Sequence, residues 1–229
     1  MLAAPALVRG VVFDLNGTLV DDIRFHRDAW YALAEELGLA MDEARFQSFN
    51  GLKNADIMPK LLGRDATAEE TARLGECKEA AYRAMYRPHL ALMPGALALL
   101  SRLRAAKVPI AIASSAPPEN RAMVIDGLAL GAYVDVVVAA EHLPGKPAPD
   151  VFLEAARQLG VAPADCLAFE DAANGVRAAA AAGMLVGAVT TNNPAHVLLE
   201  AGAVFTVADF TMLPPEIDAR LPHAALRPE

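Results

Sequence analysis

The chain has 229 residues, 55% of them hydrophobic, which is enough for a substantial core and at most two compact domains. A formal net charge of -8 with no block of basic residues argues against a nucleic-acid partner. The longest apolar run, "AAAAAGMLVGAV", is glycine-interrupted and falls short of the roughly 18–20 residues of a membrane span, so no membrane partner is expected.

The N-terminal "MLAAPALVRG" carries no basic region ahead of its apolar residues and leads straight into a strand-like segment, so the protein is read as cytoplasmic. That first strand, "VRGVVFD", ends on Asp14. From about 20 to 91 strand signals stop and helical spacing takes over. In "IRFHRDAWYALAEELG", Ile23, His26, Trp30, Leu33 and Leu37 recur at intervals of three and four, which sets them on one face, with Trp30 in the core of this region. Further helices are expected over "ADIMPKLLG", bent or interrupted at Pro59, and over "AEETARLGECKEAAYRAMYR" before Pro88. Cys77 and Cys166 lie far apart without metal-ligand spacing and read as buried thiols.

After the helix of "MPGALALLSRLRAAK" come the strands "VPIAIAS", "YVDVVVAA", "CLAFE", "MLVGAV" and "AVFTVAD". Each is short and mostly apolar, as a strand covered on both faces should be. Asp150 is expected to cap the helix "VFLEAARQLG", which Gly160 closes, and Gly183 closes "AANGVRAAAAAG". The fold class expected is α/β: a Rossmann-like parallel-sheet core from residues 1–19 and 92–229, carrying a small inserted all-helical cap domain over 20–91. Two connections would join them as a hinge.

Ligands of parallel sheets bind outside the carboxyl ends of the strands. Asp14, Ser114, Lys146 and the pair Glu170 and Asp171 all fall there. Singly, each has a plain structural alternative: a turn residue, a helix cap, a solvated lysine, acids beside a helix N-terminus. Together they supply carboxylates, a hydroxyl and an ammonium, a set suited to Mg²⁺ and a phosphoryl group. Gly17 and Thr18 would let backbone N–H groups approach phosphate oxygens.

The set "FDLNGTLVDD", "IASSA", "GKPAPD" and "FEDAANGVRAA" resembles the four motifs of the haloacid dehalogenase superfamily, and its β-phosphoglucomutase-like phosphatases in particular. The resemblance implies Asp14 as nucleophile forming an aspartyl-phosphate, with Ser114, Ser115 and Lys146 around the transferring group. It also implies Mg²⁺ held by Asp14, the main-chain carbonyl of Asn16, Glu170 and Asp171. The expected partner is a small phosphorylated metabolite, met by a monomer or weak homodimer.

Asn16 departs from the family pattern, which has a second Asp there as general acid and base. An amide cannot move that proton, whose transfer is typically worth about 10²–10⁴ in rate. The change is compatible with substrates bearing good leaving groups, with a cap residue such as His26 taking over, with an engineered substitution, or with a weakly catalytic binder of phosphorylated ligands. His26 itself reads either as a packed residue or as one near substrate. In "NGLKNADIM", Asn50 and Asn54 are candidate substrate-hydroxyl contacts flanking Lys53. A cap lysine without the second acid also resembles phosphonoacetaldehyde hydrolase, where Lys53 would form a Schiff base for C–P cleavage. A β-phosphoglucomutase-type isomerase shares every core motif and stays open.

Overall fold

The structure is a computed structural model and describes residues 7–49 and 52–222. The strands β1 (Gly10–Phe13), β2 (Ile110–Ser114), β3 (Val136–Ala139), β4 (Cys166–Glu170), β5 (Leu185–Val189) and β6 (Phe205–Val207) form one parallel sheet in the order β3-β2-β1-β4-β5-β6. Each lies inside a segment expected to be a strand. The chain builds outward from β1 to β3, then returns and builds the other way from β4. β1 and β4 therefore flank the switch point, where diverging connections leave a crevice above the strand ends.

Register aims the chemistry at that crevice. Phe13 sits opposite both Ile112 and Phe169, so Asp14 and Glu170 leave their strands at one level. Period-two alternation divides the core: Val11, Phe13, Ile110, Ile112 and Phe169 enter one layer, and Val12, Ala111, Ala113, Ala168 and Val186 the other. In the first layer Phe13 stacks on Phe169 with ring centroids 5.3 Å apart, and Phe210 meets both edge-on. Such contacts add about 0.5–1.5 kcal/mol each beyond burial.

Between β1 and β2 lie α1 (Ile23–Glu36), α2 (Glu43–Gln47), α3 (Asn54–Leu62) and α4 (Ala68–Tyr86). Trp30, Leu33, Phe46, Phe49, Ile57, Met58, Leu61 and Leu74 give this insert a core of its own. The buried face of α1 is wider than the expected stripe, because Phe25 and Ala29 pack into the sheet-side core while Trp30 and Leu33 pack inside the insert. α3 runs through Pro59 to a left-handed Gly63, so the helix is not interrupted there. Proline there removes a single helical N–H, and burial of Ile57, Met58 and Leu61 holds the turns on either side. α4 starts at Thr67, whose Oγ1 accepts from Glu70 N at 3.1 Å. Cys77 on its outer face is exposed, not buried as expected, because Leu74, Lys78 and Tyr82 occupy the inner one; Cys166 is buried.

The core is completed by α5 (Ala96–Ala105), α6 (Pro118–Gly127), α7 (Asp150–Leu159), α8 (Ala173–Ala181), α9 (Ala195–Ala201) and α10 (Pro215–Asp218). Gly160 and Gly183 end α7 and α8 with φ of 68° and 83°. Asp150 is the first residue of α7 and not its cap: Pro149, at φ -75°, takes that position and starts the helix one residue early. Among the described residues no helix is long and apolar enough to cross a membrane.

Candidate active site

A cavity of about 400 Å³ lies between the insert and the carboxyl edge of the sheet. Asp14, Ser114, Ser115, Lys146, Glu170 and Asp171 line its floor; Asn16, His26, Lys53, Asn54, Lys78 and Glu79 line its sides. The loop between β3 and α7 carries Lys146 back over the sheet, where Nζ lies 2.5 Å from Asp14 Oδ1 and 2.6 Å from Glu170 Oε1. The other Glu170 oxygen accepts from Asp171 N at 2.8 Å and Ala172 N at 2.9 Å. A side chain at Gly175 would place its Cβ 1.8 Å from Glu170 Oε1, so α8 can cross there only as glycine. Ser114 Oγ accepts from Ala116 N at 3.1 Å and does not cap α6, whose cap position is Pro117.

One oxygen each from Asp14, Glu170 and Asp171 lies within 4.8 Å of the others. Burial, opposed by Lys146 and reinforced by Glu170, pushes the Asp14 carboxyl up to about 7. Burial and the same crowding raise Asp171. The Lys146 ammonium is raised because its two carboxylates outweigh its burial. Asp171 Oδ1 accepts from Thr18 Oγ1 at 3.2 Å, whereas Oδ2 is buried without a hydrogen-bond partner among the described residues. Two carboxylates sharing one ammonium, with a third acid beside them that carries an orphaned oxygen, fit a hard divalent cation.

Gly17 and Thr18 sit behind the cavity wall. Gly17, at φ +78°, directs its N–H to Asp22 Oδ1 at 3.0 Å, and a Cβ there would lie 2.2 Å from Asp171 Oδ2. Thr18 faces Asp171. Lys53 Nζ donates to the carbonyls of Ala140 at 2.8 Å and Leu143 at 2.6 Å, fastening the insert to the core. Asn54 Nδ2 donates to Glu79 Oε1 at 2.9 Å. Asn50 lies outside the described residues.

A second polar network joins insert and core around Asn16 and His26, and its members Asp22, Lys78, Glu79, Tyr82 and Asn120 were not singled out in the sequence. Asp22, fully buried, accepts from Asn16 Nδ2, from Gly17 N and from Tyr82 Oη at 2.5 Å. His26 stacks on Tyr82, with Nε2 3.6 Å from Asp22 Oδ2 and Nδ1 2.7 Å from Lys78 Nζ. Lys78 pairs with Glu79 at 3.1 Å, and Glu79 Oε2 accepts from Asn120 Nδ2 on α6 at 2.7 Å. One signal for it was legible: Leu74, Lys78, Tyr82 and Tyr86 recur every four residues, which places a lysine on the inner face of α4. Asn192, whose Oδ1 is a buried acceptor on the wall with no partner among the described residues, had no signal.

Burial would raise Glu79, but Lys78, His26, Asn54 and Asn120 outweigh it and hold the carboxyl at about 2, against an ordinary 4.5. The unfolded chain therefore takes up the proton first. The stabilisation, on the order of 3 kcal/mol, is present above about pH 4.5 and disappears as pH falls towards 2. Glu79→Ala should lower Tm at pH 7 by the cost of an unpaired buried lysine, about 3 kcal/mol or more. The gap between variant and wild type should narrow on acidification, and calorimetry across pH 3–7, roughly the window of the shift, checks both.

The comparisons with known proteins agree with this geometry. The model of the haloacid dehalogenase-like hydrolases matches residues 8–183. The chain is 32% identical over 176 residues to the fructose-1-phosphate phosphatase YqaB of Escherichia coli, covering 76% of this chain and 93% of that one. It is 32% identical over 198 residues to the β-phosphoglucomutase of Bacillus subtilis, covering 82% and 85%. The crystal structure of β-phosphoglucomutase from Clostridium difficile superposes with a TM-score of 0.82 at 25% identity, over 93% of this chain and 97% of that one. By its matched family model and these relatives, the chain belongs to the haloacid dehalogenase-like hydrolases, in their β-phosphoglucomutase-like branch.

Proposed function

We propose that the protein is a Mg²⁺-dependent phosphatase of small phosphorylated sugars or related polyols, acting in the cytoplasm through an aspartyl-phosphate on Asp14. The observation that carries this reading is the floor of the cavity: a buried carboxylate at the switch point, in contact with an ammonium and beside two further acids. Asp14 attacks phosphorus and the bond to the departing sugar oxygen breaks. Ser114 and Lys146 steady the transferring oxygens, and the Lys146–Glu170 contact at 2.6 Å keeps the ammonium in place. Asp14, the Asn16 carbonyl, Glu170 and Asp171 would hold Mg²⁺, with Asp171 Oδ2 the oxygen left open for it. The ion supplies charge neutralisation on the phosphoryl oxygens when bound. The insert over 20–91 closes on the core around the paired connections, where Met93 N donates to Leu19 O at 2.8 Å, and excludes water during the first transfer.

Hydrolysis is favoured over isomerisation by where the cations stand. A mutase must seat a second phosphate at the far end of the cavity. The lining lysines are already engaged, Lys53 by two carbonyls and Lys78 by His26 and Glu79, and no arginine is among the described lining residues. Ile23, Trp30, Phe46, Phe49, Leu52 and Ile57 make the remaining wall apolar. The carbonyl contacts of Lys53 equally disfavour the Schiff-base reading. Assay of a panel of sugar and polyol monophosphates with Mg²⁺ should give inorganic phosphate and free sugar. Conversion to a rearranged sugar phosphate without phosphate release would replace this reading by the mutase.

A further inference from the structure

Asp22 occupies the N-cap position of α1, and its side chain makes no capping bond to that helix. An aspartate there normally accepts from the N–H two or three residues on. Here the carboxylate turns the other way, to Asn16 Nδ2, Gly17 N and Tyr82 Oη, beside the His26 ring. An amide is the side chain that suits this neighbour, because a carboxylate at 16 would meet the buried carboxylate at 22 with no cation between them. Asn16 and Asp22 thus form a matched pair that holds a single negative charge.

We propose that the proton Asn16 cannot carry is moved by His26, oriented by Asp22 and Tyr82 and recharged by Lys78. His26 is the one histidine among the described lining residues of the cavity that also holds Asp14. Its Nδ1 accepts from Lys78 Nζ at 2.7 Å, which leaves the proton on Nε2. As Asp14 bonds to phosphorus, the electron pair of the breaking P–O bond goes to the sugar oxygen. That oxygen takes the Nε2 proton while Nδ1 takes one from Lys78. In the second step water attacks phosphorus, the bond to Asp14 breaks, and the Asp14 carboxylate is regenerated. The water proton goes to Nε2 as Nδ1 returns its own to Lys78, so the cycle closes without a carboxylic acid. Burial, only partly offset by Glu79, lowers Lys78 and makes it a readier donor. Asp22, Lys78, Glu79 and Tyr82 are the charged and titratable groups facing the ring, and Asp22 is a positioning residue.

The inference rests on the phosphatase reading, and one set of measurements separates them. Wild type, His26→Gln, Asn16→Asp and the exchange Asn16→Asp/Asp22→Asn are each mixed with p-nitrophenyl phosphate, whose leaving group needs little proton assistance, and with fructose 1-phosphate, whose leaving group needs it. His26→Gln should keep the p-nitrophenol burst within about threefold of the wild-type rate. Its steady-state turnover should fall by about 10² or more, and on fructose 1-phosphate the first transfer itself should fall as far. Asn16→Asp should lower turnover, and the exchange variant should recover most of the loss; this arm stands even if His26→Gln fails to fold. Equal slowing of both first transfers in His26→Gln, or a gain in turnover by Asn16→Asp alone, overturns the relay. Absence of burst and turnover from wild type on both esters overturns the phosphatase reading with it.

Discussion

Asp14→Asn should abolish phosphate release from every substrate, by at least about 10⁴-fold, since loss of a covalent nucleophile removes the reaction path and not merely a contact. The variant should still fold. Its amide keeps the shape of the carboxylate and removes a buried charge, one that burial, reinforced by Glu170, already disfavours by pushing the Asp14 carboxyl up to about 7. Phosphate binding should persist, with Ser114, Lys146 and the remaining acids in place. Steady-state assay beside a thermal melt checks both halves; turnover within tenfold of wild type, on the order of 1.4 kcal/mol in barrier, would mean that Asp14 is not the acceptor.

Lys146→Met should have the largest effect on the fold itself. The ammonium touches Asp14 and Glu170 and is buried with them. Methionine has similar bulk but leaves three buried acids without a cation. Breaking a buried pair this way costs about 3–5 kcal/mol, so Tm without metal should drop by several degrees. Mg²⁺ should return more stability to the variant than to wild type, because a ligand that binds only the folded state stabilises by mass action and the variant's site is the more negative. A melt unchanged in the absence of metal would show that the ammonium is not holding the acids together.

Much of this was legible in the sequence because a strand buried on both faces has to read as a short apolar run, and a catalytic group of a parallel sheet has to follow one. Asp14, Ser114, Lys146, Glu170 and Asp171 announced themselves in that way. The strand order was not legible: it depends on which connection crosses which face, and β4 pairing with β1 leaves no local mark. Nor was the network behind Asn16. Asp22 was not singled out in the sequence, and only the folded chain turns its carboxylate away from α1 and onto Asn16, Gly17 and Tyr82. Gly17 was expected to serve phosphate, but its N–H is taken by that same carboxylate. Pro59 does not interrupt α3, because a proline deducts one hydrogen bond while the buried side chains on either side keep the turns in place.

The central claim is that phosphorus is transferred to Asp14. The most direct test is to mix the protein with Mg²⁺ and fructose 1-phosphate, quench in acid within the first turnover, and map the added phosphoryl mass by peptide. One phosphoryl group is expected on the peptide containing Asp14, absent in Asp14→Asn and discharged on further incubation. Phosphate release without any phosphorylated Asp14 peptide would contradict it.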